Sequence, residues 1–192
     1  MNGNNDWVEG KSKERHSQNF LKTVLELSGY KVMNFGIENH NQETISQIKT
    51  NYSPETNRRL LSMPDYVVID EETKETWLVE VKFRSFKDKF DMKENNVSFK
   101  YGSMKSYLDF WKDATLILVF NVSPYCLCID FDKVNWNIHF KEKFKNSKGN
   151  MDEFWNFCGI YEFINDKFPK VTPENFRKTL NLIGMKDWNL ET

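Results

Sequence analysis

Apolar residues recur at helical spacing between residues 11 and 28, where Phe20, Leu21, Val24, Leu25 and Leu27 form a stripe that ends at Gly29. The spacing predicts an amphipathic helix closed by a glycine. Tyr30 to Ile37 changes to a strand-like pattern. A polar stretch from Glu38 to Ser62 is longer than most connections, and Ser53-Pro54-Glu55 within it marks a short helix start. Residues 65 to 70 (DYVVID) and 75 to 83 (ETWLVEVKF) are strand-like runs joined by the polar EETK, a hairpin signal.

Tyr101 to Trp111 predicts a second helix, with Met104, Leu108 and Trp111 on one face, and Thr115 to Phe120 is the continuous apolar run of a strand covered on both faces. Tyr125 to Phe131 and Val134 to Phe140 supply further strands. From Asn150 the expected pattern is helical, because Asn150 with Glu153 resembles a capping box and Thr172-Pro173-Glu174 resembles a second helix start. The order predicts an α/β fold with a mixed sheet flanked by helices. Residues 1 to 10 are expected to be a flexible N-terminus, 11 to 148 the α/β core, and 149 to 192 a helical C-terminal extension packed on it.

Composition narrows the class. At 39% hydrophobic and 15% aromatic, the chain is globular despite its 29% of charged residues. The first ten residues are polar and show no signal peptide, and the apolar run TLILVF is too short for a bilayer, which needs about 20 residues. A soluble, cytoplasmic protein with no membrane partner is expected. Three cysteines are too few for a disulfide framework, and Cys126 and Cys128 should share one strand face as small core residues. The three histidines are scattered without zinc-ligand spacing.

The hairpin carries the candidate chemistry. With its turn centred between Glu72 and Thr73, facing residues have numbers that sum to 145, so Asp70 opposes Glu75 and Asp65 opposes Glu80. Opposed side chains share a face, with Cβ atoms about 4.5–5.5 Å apart. Two carboxylates so close repel unless a cation or proton lies between them, and paired carboxylate oxygens are what a hard ion such as Mg²⁺ takes. Strand alternation puts Lys82 on the face of Glu80 and sends Trp77, Val79 and Val81 to the other. An odd-numbered loop would instead place Asp65 and Glu80 on opposite faces. Glu14 continues the helix stripe seven residues before Leu21 and should point toward the sheet.

Pro64-Asp65, an apolar strand, a turn and Glu80-Val81-Lys82, preceded by a helix bearing Glu14 and a Gly29-Tyr30 exit into a strand, resemble the PD-(D/E)xK nuclease superfamily. Within it, KSKERHSQNFLKTVLELSGYKV resembles the opening of Holliday-junction resolvases and restriction-type endonucleases. The likeness covers roughly residues 11 to 120 and implies a restriction-endonuclease-like core. It implies that Asp65 and Glu80 ligate Mg²⁺ or Mn²⁺ with the Val81 carbonyl, and that Lys82 activates water and stabilises the phosphorane. Glu14 would bind a second ion or an outer water. Members often carry a Gln or Lys on the helix after the motif, a place Lys105 would fill. The implied activity is metal-dependent endonucleolytic hydrolysis of DNA, with RNA left open and a homodimer plausible. The alternative is a non-catalytic nucleic-acid-binding or assembly module on the same fold.

The net charge of -1 conceals segregation. Residues 62 to 80 hold six acids and one base, whereas Lys82 to Lys105 and Lys133 to Lys148 each carry a local net of +4. Both basic segments are interleaved with aromatics, Phe86, Phe90, Phe99, Trp136 and Phe144. Basic residues neutralise backbone phosphates and exposed aromatics stack on bases. Arg58, Arg59, Arg84, Lys87, Lys100 and Lys105 are therefore the expected nucleic-acid contacts.

Overall fold

The computed structural model describes residues 3–37, 45–48, 54–87, 97–133, 140–145, 151–156 and 161–182. Helix α1 (Gly3–Leu27) begins upstream of the apolar stripe and ends in a Schellman motif. Gly29, at φ +87°, sends its N–H to the Glu26 carbonyl, and the Tyr30 N–H returns to the Leu25 carbonyl. A residue with a Cβ is strained at that φ, which is why the chain places glycine there. Phe20, Leu21, Val24 and Leu25 are fully buried, each contributing roughly 2 kcal/mol of apolar transfer. Leu27 instead lies on the outer side, 43% exposed.

Strand β1 (Lys31–Asn34) follows, then α2 (Pro54–Leu61), which opens with Pro54 in its first turn as the sequence predicts. Strands β2 (Tyr66–Ile69) and β3 (Thr76–Arg84) form the expected hairpin. Strand β4 (Ser98–Lys100) leads into α3 (Tyr101–Phe110), and β5 (Thr115–Phe120) and β6 (Cys126–Asp130) follow. Strands β7 (Phe140–Lys145), β8 (Met151–Asn156) and β9 (Glu162–Phe163), then helices α4 (Ile164–Lys167) and α5 (Pro173–Leu182), complete the order. The expected strand from Val134 to Phe140 falls almost wholly outside the described residues.

The main sheet has the order β1-β2-β3-β5-β6-β9. All of its pairs are antiparallel except β3 with β5, so it is mixed, as the alternation of elements predicts. Helices α1 and α5 contribute to the apolar layer on one face, where Phe20, Leu25, Val68, Val79, Val81, Phe168 and Leu180 meet. Helix α3 helps to cover the other, where Met104 and Tyr107 pack with Leu116, Leu118, Phe120 and Phe131. Every residue of β5 is buried, as expected for a strand covered on both sides. Cys126 and Cys128 do share one face, and burial pushes both thiols above the usual cysteine range.

Two expectations about the elements are overturned, the first being the flexible N-terminus, because residues 3–10 belong to α1. Residues 151–156 form a strand rather than a helix, and β8 joins a second, three-stranded sheet of order β4-β8-β7. The Asn150 and Glu153 pattern imitates a helix start, but aromatic Phe154 and Trp155 suit a strand, and two available partners decide the outcome. The helix start at Thr172-Pro173-Glu174 does hold, as α5. The segment between them closes the core: Phe168 meets Tyr30 edge-to-face at 5.5 Å, and Lys170 binds Asp70 at 2.9 Å and Glu72 at 2.6 Å.

Candidate active site

The hairpin register decides the site. Tyr66 pairs with Val79, Val67 with Leu78, Val68 with Trp77 and Ile69 with Thr76, so facing numbers sum to 145. The loop itself is wider than a two-residue turn. The Asp70 N–H donates to the Glu75 carbonyl, the Lys74 N–H closes back on the Asp70 carbonyl, and Lys74 takes φ 64°. Four loop residues keep the parity even, and Asp65 therefore falls on the face of Glu80.

Both carboxylates are only 2% exposed. The Asp65 main chain is clamped by β1, whose exit sends the Phe35 and Gly36 N–H groups to its carbonyl at 2.8 and 3.2 Å. Its side chain accepts from the Val81 N–H at 2.7 Å and from Gln18 Nε2 at 2.8 Å. Glu80 Oε1 accepts from the Tyr107 hydroxyl and lies 2.5 Å from Lys82 Nζ. Lys82 also reaches Glu14 Oε1 at 3.2 Å, so α1 brings Glu14 to the rim of the cluster, where its side chain stays 44% exposed.

A lysine among three carboxylates stays charged. Burial lowers the Lys82 pKa, but Glu80, Tyr107, Asp65 and Glu14 outweigh it and hold the ammonium well above the ordinary lysine value. The Tyr107 hydroxyl moves the same way, through burial and then the Glu80 charge, so it remains a donor. The result is a fixed ammonium and two immobilised carboxylates over the middle of β3.

Gln18 and Tyr107 are the residues that sequence reasoning missed. Gln18 lies four positions after Glu14 and three before Leu21, a polar side chain on the stripe that faces the sheet. Tyr107 lies three positions after Met104 on the buried face of α3, where an aromatic reads as packing; it does stack on Phe131, and its hydroxyl is the added function. The Val81 side chain is buried in the apolar layer while its N–H serves Asp65.

The expected nucleic-acid contacts divide. Arg58 on α2 donates to Asp109 at 2.7 Å and rests over Phe110, and Lys105 also binds Asp109, at 2.9 Å, rather than reaching the carboxylates. Arg59 lies over Trp111. Arg84 sits 4.3 Å from the centroid of the Phe99 ring and close enough to Glu14 for the two charges to interact. Lys87 is exposed, and the Lys100 side chain lies outside what is described. Phe99 is buried in the core and unavailable for stacking on bases, and Phe86 packs partly buried against it. Phe90, Trp136 and the Phe144 side chain lie outside what is described, and in the second basic segment Lys133 is bonded to Asp130 at 2.8 Å.

The donor set can be tested against a divalent cation. Among the described residues, no group of three or more His, Cys, Asp and Glu side chains gathers as a metal cage. Asp65 and Glu80 form a pair, and Mg²⁺ is usually held by one or two carboxylates with water and phosphate oxygens completing its shell. A pair of hard oxygen donors with a surplus of negative charge fits that ion and does not fit a structural zinc site.

No protein-family model matches the chain, and no curated protein matches it. Among solved structures it is similar to the 1.6 Å structure of Hjc, a Holliday junction resolvase from the archaeal hyperthermophile Archaeoglobus fulgidus. The identity is 12% and the TM-score 0.42, over 82% of this chain and 99% of that one. A match at that level assigns neither a substrate nor residue roles. No helix among the described residues is long and apolar enough to cross a membrane.

Proposed function

We propose that the protein is a metal-dependent endonuclease that hydrolyses phosphodiester bonds in DNA. The observation that carries this reading is the convergence of Asp65, Glu80 and Lys82 on one side of the β2–β3 hairpin, both acids 2% exposed and each held by a helix-borne donor. Buried carboxylates that repel one another stabilise no fold, so their retention at a single point calls for a chemical use.

Asp65 and Glu80 would hold Mg²⁺ or Mn²⁺, with the Val81 carbonyl as a further oxygen and Glu14 toward an outer water or a second ion. A divalent ion there supplies a more acidic water and neutralises charge on the phosphate. Gln18 and the Val81 N–H fix the orientation of the Asp65 carboxylate, and Tyr107 does the same for Glu80. Lys82, 2.5 Å from Glu80, would face the phosphate and, as an ammonium, stabilise the negative charge that builds on its oxygens.

Incubation of the purified protein with supercoiled and branched DNA in Mg²⁺ or Mn²⁺ tests the reading. Nicking that EDTA abolishes is expected, with Asp65→Ala, Glu80→Ala and Lys82→Ala each lowering the rate by about 100-fold or more. Salt-sensitive binding without cleavage of any duplex, branched or single-stranded substrate would favour the non-catalytic binding module instead.

A further inference from the structure

A cavity of about 460 Å³ lies on the α1–α5 face of the main sheet, the face opposite Glu80 and Lys82. The turn between β5 and β6 lines it with Pro124 and Tyr125, the start of α4 with Ile164, and α5 with Phe176, Arg177 and Leu180. The volume lies within the range of small-molecule sites, about 300–1,000 Å³, which combine apolar walls with a few polar groups.

Two properties of the walls select the occupant. The first is their apolar, ring-bearing surface. Ile164 and Leu180 are buried, whereas Phe163, which also lines the cavity, stays 47% exposed and Phe176 is half-buried. Tyr125 takes φ 65°, a left-handed conformation that glycine or asparagine adopts at lower cost. The turn therefore carries a ring where a smaller residue would fit the backbone better. The second property is charge. None of the described lining residues is acidic, and Arg177 forms no hydrogen bond or ion pair among the described residues. Glu174, three positions before it, is bonded to Lys178 at 2.9 Å. A guanidinium matches a carboxylate with two parallel hydrogen bonds. A neutral apolar molecule leaves Arg177 unused, and a small hydrophilic anion leaves the walls bare.

We propose that this cavity binds a small aromatic molecule bearing one carboxylate, with its ring against Tyr125 and Phe176 and its carboxylate on Arg177. The site shares no residue with the Asp65, Glu80 and Lys82 cluster, and it goes beyond the hydrolytic reading without depending on it.

The test separates the ring from the charge. Isothermal titration of the native protein uses three probes: 2-naphthoate, 2-naphthamide, which keeps the ring and loses the charge, and acetate, which keeps the charge and loses the ring. Saturable one-to-one binding of 2-naphthoate is expected, with each of the other two at least about tenfold weaker. Arg177→Gln should lower the affinity for 2-naphthoate to that for the amide and leave the amide unchanged. Ser123→Trp, which adds bulk to the lining from the exposed turn, should weaken both ring-bearing probes; circular dichroism checks that both variants fold. No saturable binding of 2-naphthoate, or an affinity for the amide or for acetate equal to that for 2-naphthoate, overturns the inference. Binding of 2-naphthoate that neither substitution weakens in folded protein overturns it as well, because the molecule would then sit elsewhere.

Discussion

Two carboxylate–lysine clusters sit on the same sheet and differ in charge balance. At the end of β6, Asp130 binds Lys167 at 2.7 Å and Lys133 at 2.8 Å, and the Thr115 hydroxyl donates to it at 2.6 Å. Glu162 stands 3.6 Å from Lys133, so two lysines answer two acids. On β3, Lys82 faces Asp65, Glu80 and Glu14, with Arg84 adding a second positive charge near Glu14 alone, so two bases answer three acids. The first arrangement fastens β5, β6 and α4 and is complete as it stands. The second holds more acids than bases, two of them only 2% exposed, an imbalance that a structural ion pair does not need.

The contrast is broken most severely at Lys82. Lys82→Met removes the charge that offsets three acids and is expected to cost roughly 3 kcal/mol in urea denaturation, whereas Glu80→Gln relieves repulsion and should stay within about 1 kcal/mol of the native protein. Equal losses for the two would show that the β3 cluster is an ordinary ion pair. Next in size is Gln18→Ala, which frees the Asp65 carboxylate to rotate. The apparent Mg²⁺ affinity, read from the metal dependence of the melting temperature, should fall about tenfold. No Mg²⁺-dependent rise in melting temperature for the native protein would remove the metal from the site.

The smallest effect belongs to Asp130. Burial pushes its carboxyl up, but Lys133, Lys167 and Thr115 outweigh that and hold it below the ordinary value of 3.8. A depressed folded-state pKa contributes stability that is present above 3.8 and lost as pH falls through the folded value. Asp130→Asn should therefore flatten the acid limb of the stability curve below about pH 4 and leave its slope near neutrality unchanged. An unchanged acid limb would show that the cluster contributes nothing by linkage.

The part of the site carried by local pattern was legible before any coordinates. Loop parity and strand alternation are sequence properties, so Asp65, Glu80 and Lys82 came out on one face, and the helix stripe brought Glu14 to them. What stayed hidden depends on tertiary packing. Tyr107 has the spacing of a core aromatic, and only the approach of α3 to β3 shows that its hydroxyl meets Glu80. Lys105 was the expected donor from that helix, yet the same approach turns it outward to Asp109. The strand at 151–156 was misread because a capping pattern is local while its partners, β4 and β7, lie elsewhere in the chain.

The four-residue loop between Asp70 and Glu75 bears on how this protein can diverge. A surface turn normally accepts insertions and deletions freely, but gaining or losing one residue here would carry Asp65 across the sheet from Glu80 unless a bulge absorbed it. Length changes that keep the chemistry must come in pairs. A solvent-facing tip far from any reacting atom is thus held to a counting rule by residues buried at the other end of the hairpin.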